Sequence, residues 1–190
     1  MANASDTDRS RPEQDTRRIM SDSSNIEEAR TESDDHVAGQ VKFLVCVDGS
    51  APSKVAVHYA CRRAKNTNGR VALLFVIQPV DFRQWSGVEE MMREERRQES
   101  EALLNDMAAE VNTFAGVMPE LMLREGRIGD EILGAIDDDP SIDLLCVGSN
   151  PAEGRGKLVS FLAGHLAGRL TIPLVVIPGT LSDEKIINIT

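Results

Sequence analysis

Five short apolar runs, each separated from the next by a helical or turn-rich segment, constrain the fold of this chain more than any other feature. They cover residues 41–47, 71–77, 121–124, 142–147 and 172–177. A run that is apolar at nearly every position, not at alternate ones, suits a strand buried on both faces, as in parallel sheets covered by helices. The intervening segments agree. Ser50 as N-cap and Pro52 in the first turn open a helix that carries Val55, Ala56, Tyr59, Ala60 and Ala64 at helical spacing, and residues 66–69 end it. Residues 88–114 hold no proline or glycine and predict one long helix. Its apolar stripe comprises Val88, Met91, Met92, Leu103, Leu104, Met107, Ala108 and Val111, and its middle, 93–101, is charged and solvated. Residues 129–136 predict a third helix, followed by the acidic turn 137–140. The alternation specifies an α/β domain built on a five-stranded parallel sheet with helices on both faces.

The flanks read differently. Residues 1–40 consist largely of Ser, Asp, Glu, Arg and Thr, too polar to offset the entropy of ordering, and are expected to be a disordered acidic tail. Solubility is one role for it. A regulatory arm with Ser21, Ser23 and Ser24 as phosphorylation sites is another. The α/β domain is expected over 41–180, with 181–190 a C-terminal tail. With 21 Lys and Arg against 31 Asp and Glu, the net charge of -10 argues against a nucleic-acid partner. No run has transmembrane length and the N-terminus has no apolar signal core, so the expected location is cytoplasmic, with no membrane partner. Three cysteines fit reduced thiols better than a disulfide framework.

The chemistry concentrates between Val147 and Pro178. There a strand end leads into a glycine-rich loop with Arg155 and Lys157, then a short helix, then the last apolar run. Bare backbone N–H groups in such a loop can close around a phosphate, and the same glycines can simply shape a tight turn. A Walker A loop is ruled out because Lys157 is followed by Leu158 and no glycine stands five residues before Gly156. The G-x-G-x-x-G fingerprint fails after the first strand, where Gly49 stands alone, and no G-x-S-x-G elbow occurs. His36, His58 and His165 lack metal-ligand spacing. Catalytic residues are therefore not expected.

The chain from Val41 to Gly179 resembles a universal stress protein domain. The resemblance rests on Phe43-Leu44-Val45-Cys46-Val47-Asp48-Gly49-Ser50, Leu74-Phe75-Val76-Ile77, Arg124-Glu125-Gly126, Asp143-Leu144-Leu145-Cys146-Val147-Gly148-Ser149 and Ile172-Pro173-Leu174-Val175-Val176-Ile177-Pro178, in that order. It implies a flavodoxin-like strand order 3-2-1-4-5, a homodimer joined along the last strand and, in one branch of the family, ATP or a related adenine nucleotide. Carried over by position, Asp48 faces the nucleoside, Val76 packs on adenine, and Gly148, Gly154, Arg155, Lys157, Gly164 and His165 form the phosphate side. The match is incomplete. Gly154 and Gly164 keep the nine-residue spacing of the ATP-binding branch, but five residues stand between Gly148 and Gly154 instead of two. Pro151 falls where the first glycine belongs, and His165 replaces a hydroxyl residue. Two functions follow: a nucleotide-binding, stress-responsive module, or a nucleotide-free dimeric scaffold. The implied order also makes the strands of Cys46 and Cys146 neighbours, where packing is the expected role of both thiols.

Overall fold

Strand β1 (Lys42–Val47) is buried at every position, which explains why its sequence carries no polar alternation. It pairs in parallel with β2 (Arg70–Ile77) on one side and β4 (Ile142–Ser149) on the other. Strand β3 (Glu120–Glu125) adds to β2, and β5 (Leu174–Pro178) adds to β4. The resulting order is β3-β2-β1-β4-β5, as the sequence predicts. The computed structural model describes residues 40–79, 89–150 and 157–190. The expected tail with Ser21, Ser23 and Ser24 lies outside the described residues, as do the segment around Phe82 and Trp85 and the loop residues Gly154 and Arg155.

Alternate residues of β1 feed two separate cores. Phe43, Val45 and Val47 meet α1 (Ala51–Thr67) and α2 (Glu89–Ala115), through Ala56, Ala60 and Cys61 of the first and Leu104, Met107 and Val111 of the second. Leu44 and Cys46 face the opposite way. They meet α3 (Ile128–Asp138) through Ile132, Leu133 and Ile136, together with Leu162 and Leu166. Those two leucines bound the π-helical turn Leu162–Leu166, which continues the short α4 (Lys157–Phe161).

Local chemistry sets the helix ends. Ser50 accepts the N–H of Ser53 as N-cap of α1, and at the other end Asn68, at φ 53°, returns its N–H to Ala64. In α2 the predicted stripe divides. Leu104, Met107, Ala108 and Val111 are buried, whereas Met91 is 69% exposed, so the first turns of this helix pass beyond the core. The last strand starts two residues later than predicted because Pro173 has no N–H to donate, although its carbonyl accepts from Leu145. Residues 181–190, read from sequence as a tail, include α5 (Asp183–Ile189), capped by Ser182 and anchored by the buried Ile186.

The two sheet edges differ in chemistry. Along β3, Arg124 pairs with Asp138 of α3 at 2.7 Å and Glu125 pairs with Arg93 of α2 at 2.8 Å. Along β5, Val176 is 39% exposed.

At the end of the sheet where β1 begins, Lys42 is 3% exposed, and its ammonium lies between Asp139 and Glu120, the latter at 2.5 Å. Its N–H donates to Asp143, while Asp139 also accepts from the Ser141 N–H and hydroxyl. Burial pushes the Lys42 ammonium down, but its bonds to Asp139 and Glu120 outweigh this and hold it above the usual 10.5. Burial likewise pushes Asp139 up, and Lys42 and Ser141 hold it below 3.8. The Lys42 contribution is thus complete below pH 10.5 and lost as pH climbs through its raised value. The Asp139 contribution is complete above pH 3.8 and lost as pH falls through its lowered value. Lys42→Met is expected to destabilise the domain by about 2–3 kcal/mol at pH 7, since it strands a partly buried carboxylate. Urea unfolding should show that deficit shrinking as pH falls through the lowered value of Asp139, where the wild type also loses the carboxylate charge that Lys42 balances.

Candidate functional site

The carboxyl ends of β2, β1 and β4 open into a cleft of about 1030 Å³. This is the point where chain connections leave the sheet in opposite directions, since β2 lies to one side of β1 and β4 to the other. Neighbouring strands stand about 4.8 Å apart, so the three ends span ~10 Å. Each contributes a different chemistry. The β2 end supplies Phe75, Val76 and Gln78, the β1 end supplies Cys46, Val47 and Asp48, and the β4 end supplies Gly148 and Asn150. Ile128, Leu158, Val159 and Phe161 add an apolar wall from α3 and α4, while Ser50, Pro52 and Ser53 enter from the start of α1.

Asp48 is exposed to solvent at the centre of this arrangement. Its Oδ1 accepts the N–H of Ser50 at 2.9 Å, forming a tight turn at the helix entry. Partial burial pushes its carboxyl up, yet hydrogen bonds from Ser50 and Ser53 hold it below 3.8. The carboxylate is therefore ionised at neutral pH, with Ser50 securing its position. Gly49, at φ 77°, makes this turn and lies beneath Leu103 of α2: a Cβ on Gly49 would stand 2.6 Å from Leu103 Cδ1. The N-cap of α1 is Ser50, and Asp48 bonds the N–H of that cap without capping the helix itself.

Gly148 has a packing role that its sequence context does not reveal. A Cβ there would stand 2.2 Å from the carbonyl oxygen of Pro52, so the first turn of α1 rests directly on the backbone of β4. Gly179 receives the ring side of the same proline, where an added Cβ would stand 2.8 Å from Pro52 Cβ. Gly164 is different. It lies in the π-helical turn with open space around it and does not line the cleft. Lys157 opens α4 and His165 falls in the π-helical turn. The cleft thus brings together Asp48, Val76 and Gly148 of the expected set.

Several lining residues had no signal in the sequence. Ile128, Leu158, Val159 and Phe161 look like ordinary core positions, and Gln78 looks like a loop residue. Phe161 also packs where a Cβ on Gly129 would stand, 2.3 Å from its ring, which seats α4 against α3.

The thiols are placed for packing. Cys146 is in register with Val45, so it points to the opposite face from Cys46 despite their adjacent strands. Burial pushes Cys46, Cys61 and Cys146 each up to about 12. Cys46 reaches the cleft floor as a neutral thiol.

Gly148→Ala is expected to force α1 away from β4 and cost about 1–3 kcal/mol by overpacking. Gly164→Ala, in open space, should leave the urea midpoint within experimental error or raise it slightly. The comparison separates a packing glycine from a merely exposed one.

Comparison of the sequence with curated proteins finds no significant match. Among solved structures, the fold is similar to universal stress protein UspA from Lactobacillus plantarum, at 19% identity and TM-score 0.61 over 74% of this chain and 99% of that one. It is also similar to a universal stress protein family member from Burkholderia pseudomallei, at 20% identity and TM-score 0.59 over 74% and 98%. A family protein from Arabidopsis thaliana with AMP bound matches at 21% identity and TM-score 0.50 over 73% and 91%. Further similar structures are complexes of universal stress proteins with cAMP and, from Archaeoglobus fulgidus, with dAMP. At these identities the likeness establishes the fold. The family model, described as Universal stress protein family, matches residues 41–178, which is most of the chain. The chain belongs to the universal stress protein family.

Proposed function

We propose that this protein binds an adenine nucleotide, ATP or a close relative, in the cleft and acts as a stress-responsive regulatory module of the cytoplasm. The observation that carries the reading is the position of Asp48, an ionised carboxylate at the switch point of the sheet, between an apolar β2 end and the Gly148 backbone. A nucleoside laid across the three strand ends sets its base on Val76, its sugar hydroxyls on Asp48 and its phosphates toward the segment after β4. Similar proteins that hold AMP, dAMP and cAMP support the ligand class. Arg155 and Lys157 are the side chains assigned to the phosphates, with Gly154 allowing the backbone to approach them.

Nothing in this arrangement asks for rapid turnover. Asp48 is the one ionisable carboxylate on the described lining, and a carboxylate held by Ser50 is suited to binding sugar hydroxyls. The second reading, a nucleotide-free scaffold, draws on Gly148 being committed to Pro52 and on Pro151 and His165 departing from the ATP-binding pattern. Both readings include a homodimer paired along β5, where exposed Val176 and the outer backbone of an edge strand invite a second copy.

Calorimetry with ATP, ADP and AMP tests the ligand. Wild type is expected to bind, Gly154→Val to lose binding by blocking the backbone, and Lys157→Ala to weaken it by about 1–3 kcal/mol. No heat with any of the three at millimolar concentration would leave the scaffold reading. The assembly has its own test. Val176→Lys should convert a dimer into a monomer in sedimentation, and a wild type already monomeric at micromolar concentration would remove the proposed interface.

A further inference from the structure

Polar side chains are unevenly distributed along the cleft. At the β1 end, local bonds fix the polar groups: the backbone N–H of Ser50 donates to Asp48, and the Ser53 hydroxyl donates to the Ser50 carbonyl at 2.9 Å, while the Asp48 carboxylate stays exposed. At the β2 end the lining is apolar, through Phe75 and Val76, until Gln78. Gln78 directly follows the last residue of β2, is exposed at the cleft, and has no hydrogen-bond partner among the described residues. A primary amide beside an apolar platform is a distinctive pairing. The platform accepts the face of a planar ring, and the amide offers one donor and one acceptor side by side to the edge of that ring.

We propose that Gln78 is a specificity-determining residue that reads the 6-amino group of an adenine base lying on Val76. This rests on the adenine-nucleotide reading and names what within the site selects the base. Gln78 Oε1 accepts from the 6-amino group while Nε2–H donates to the neighbouring ring nitrogen, the bidentate match between a side-chain amide and adenine. Neither Asp48 nor Gly148 supplies this discrimination. Both belong to other strand ends, where they meet sugar and phosphate, groups common to all nucleotides. A base without the amino group still stacks on Val76 and still offers a ring nitrogen, but it leaves Oε1 without a donor.

The test couples one change in the protein to one change in the ligand. Wild type and Gln78→Leu are titrated by calorimetry with AMP and with purine riboside 5′-monophosphate, which lacks only the 6-amino group. Wild type is expected to prefer AMP about ten-fold, and Gln78→Leu to bind the two ligands within about two-fold of each other. Since Gln78 is exposed and without a described partner, the variant should keep the wild-type melting temperature, which rules out misfolding as the cause. A ten-fold preference retained in Gln78→Leu, or no preference in wild type, overturns the assignment while leaving nucleotide binding intact. Wild type that binds neither ligand removes the assignment, and only if ATP and ADP are silent as well does the nucleotide reading fall with it.

Discussion

The contact between Pro52 and the backbone of Gly148 is the constraint on which the functional end of this molecule depends. A helix axis normally stands off a sheet by the width of a side chain on each surface, but here the first turn of α1 meets strand backbone with no Cβ between. The same proline lies against Gly179 just beyond β5, so one rigid ring fixes α1 relative to the last two strands of the sheet. The N-terminus of α1 is thereby held over the gap between β1 and β4. Ser50 follows from that placement, and Asp48, bonded to the Ser50 N–H, follows from Ser50. Leu103 closes the turn from the α2 side by resting on Gly49. The carboxylate in the cleft owes its position to three packing contacts, none of which involves the carboxylate.

Charge is handled differently at the two ends of the sheet. Where the strands begin, Lys42 is almost wholly buried and is balanced by Asp139 and Glu120, so the field is closed on itself. Where they end, Asp48 is exposed and its charge is stabilised by neutral donors. A buried lysine with two more exposed carboxylate partners ties together β1, β3 and the segment after α3. An open carboxylate with no cation among its described hydrogen-bond partners stays available to a ligand.

Much of this was legible in the sequence because the central strands β1, β2 and β4 are apolar over most of their length, the pattern of burial on both faces, whereas β3 and β5, at the edges, are only partly buried. Ser50 and Pro52 marked the start of α1 for reasons of hydrogen bonding and fixed φ that hold in any context. The cleft was harder to read. Gly148 looked like a phosphate-loop glycine because the residue it packs against is remote in sequence, and a glycine that admits a helix leaves the same mark as one that admits an anion. Leu158, Val159 and Phe161 line the cleft with side chains that elsewhere would simply fill a core. Cys46 and Cys146 appeared as possible neighbours because adjacency of strands is visible from topology, whereas the one-residue offset of their register, which sends them to opposite faces, is not. The short helix after β5 went unnoticed because it rests on one buried side chain, Ile186.

The unequal edges of the sheet bear on how large an assembly of this chain can grow. The β3 edge is lined by ion pairs that tie Arg124 and Glu125 to the helices on either side, so a strand approaching there meets fixed charge. The β5 edge offers an aliphatic side chain and, among the described residues, no such barrier. A molecule with one receptive rim and one guarded rim has nowhere to add a third copy once two have met through the receptive one. Were two copies to pair through the β5 rim as proposed, growth by strand addition would end at that closed pair, and the continuous ribbon that leads to fibres would be denied its second attachment point.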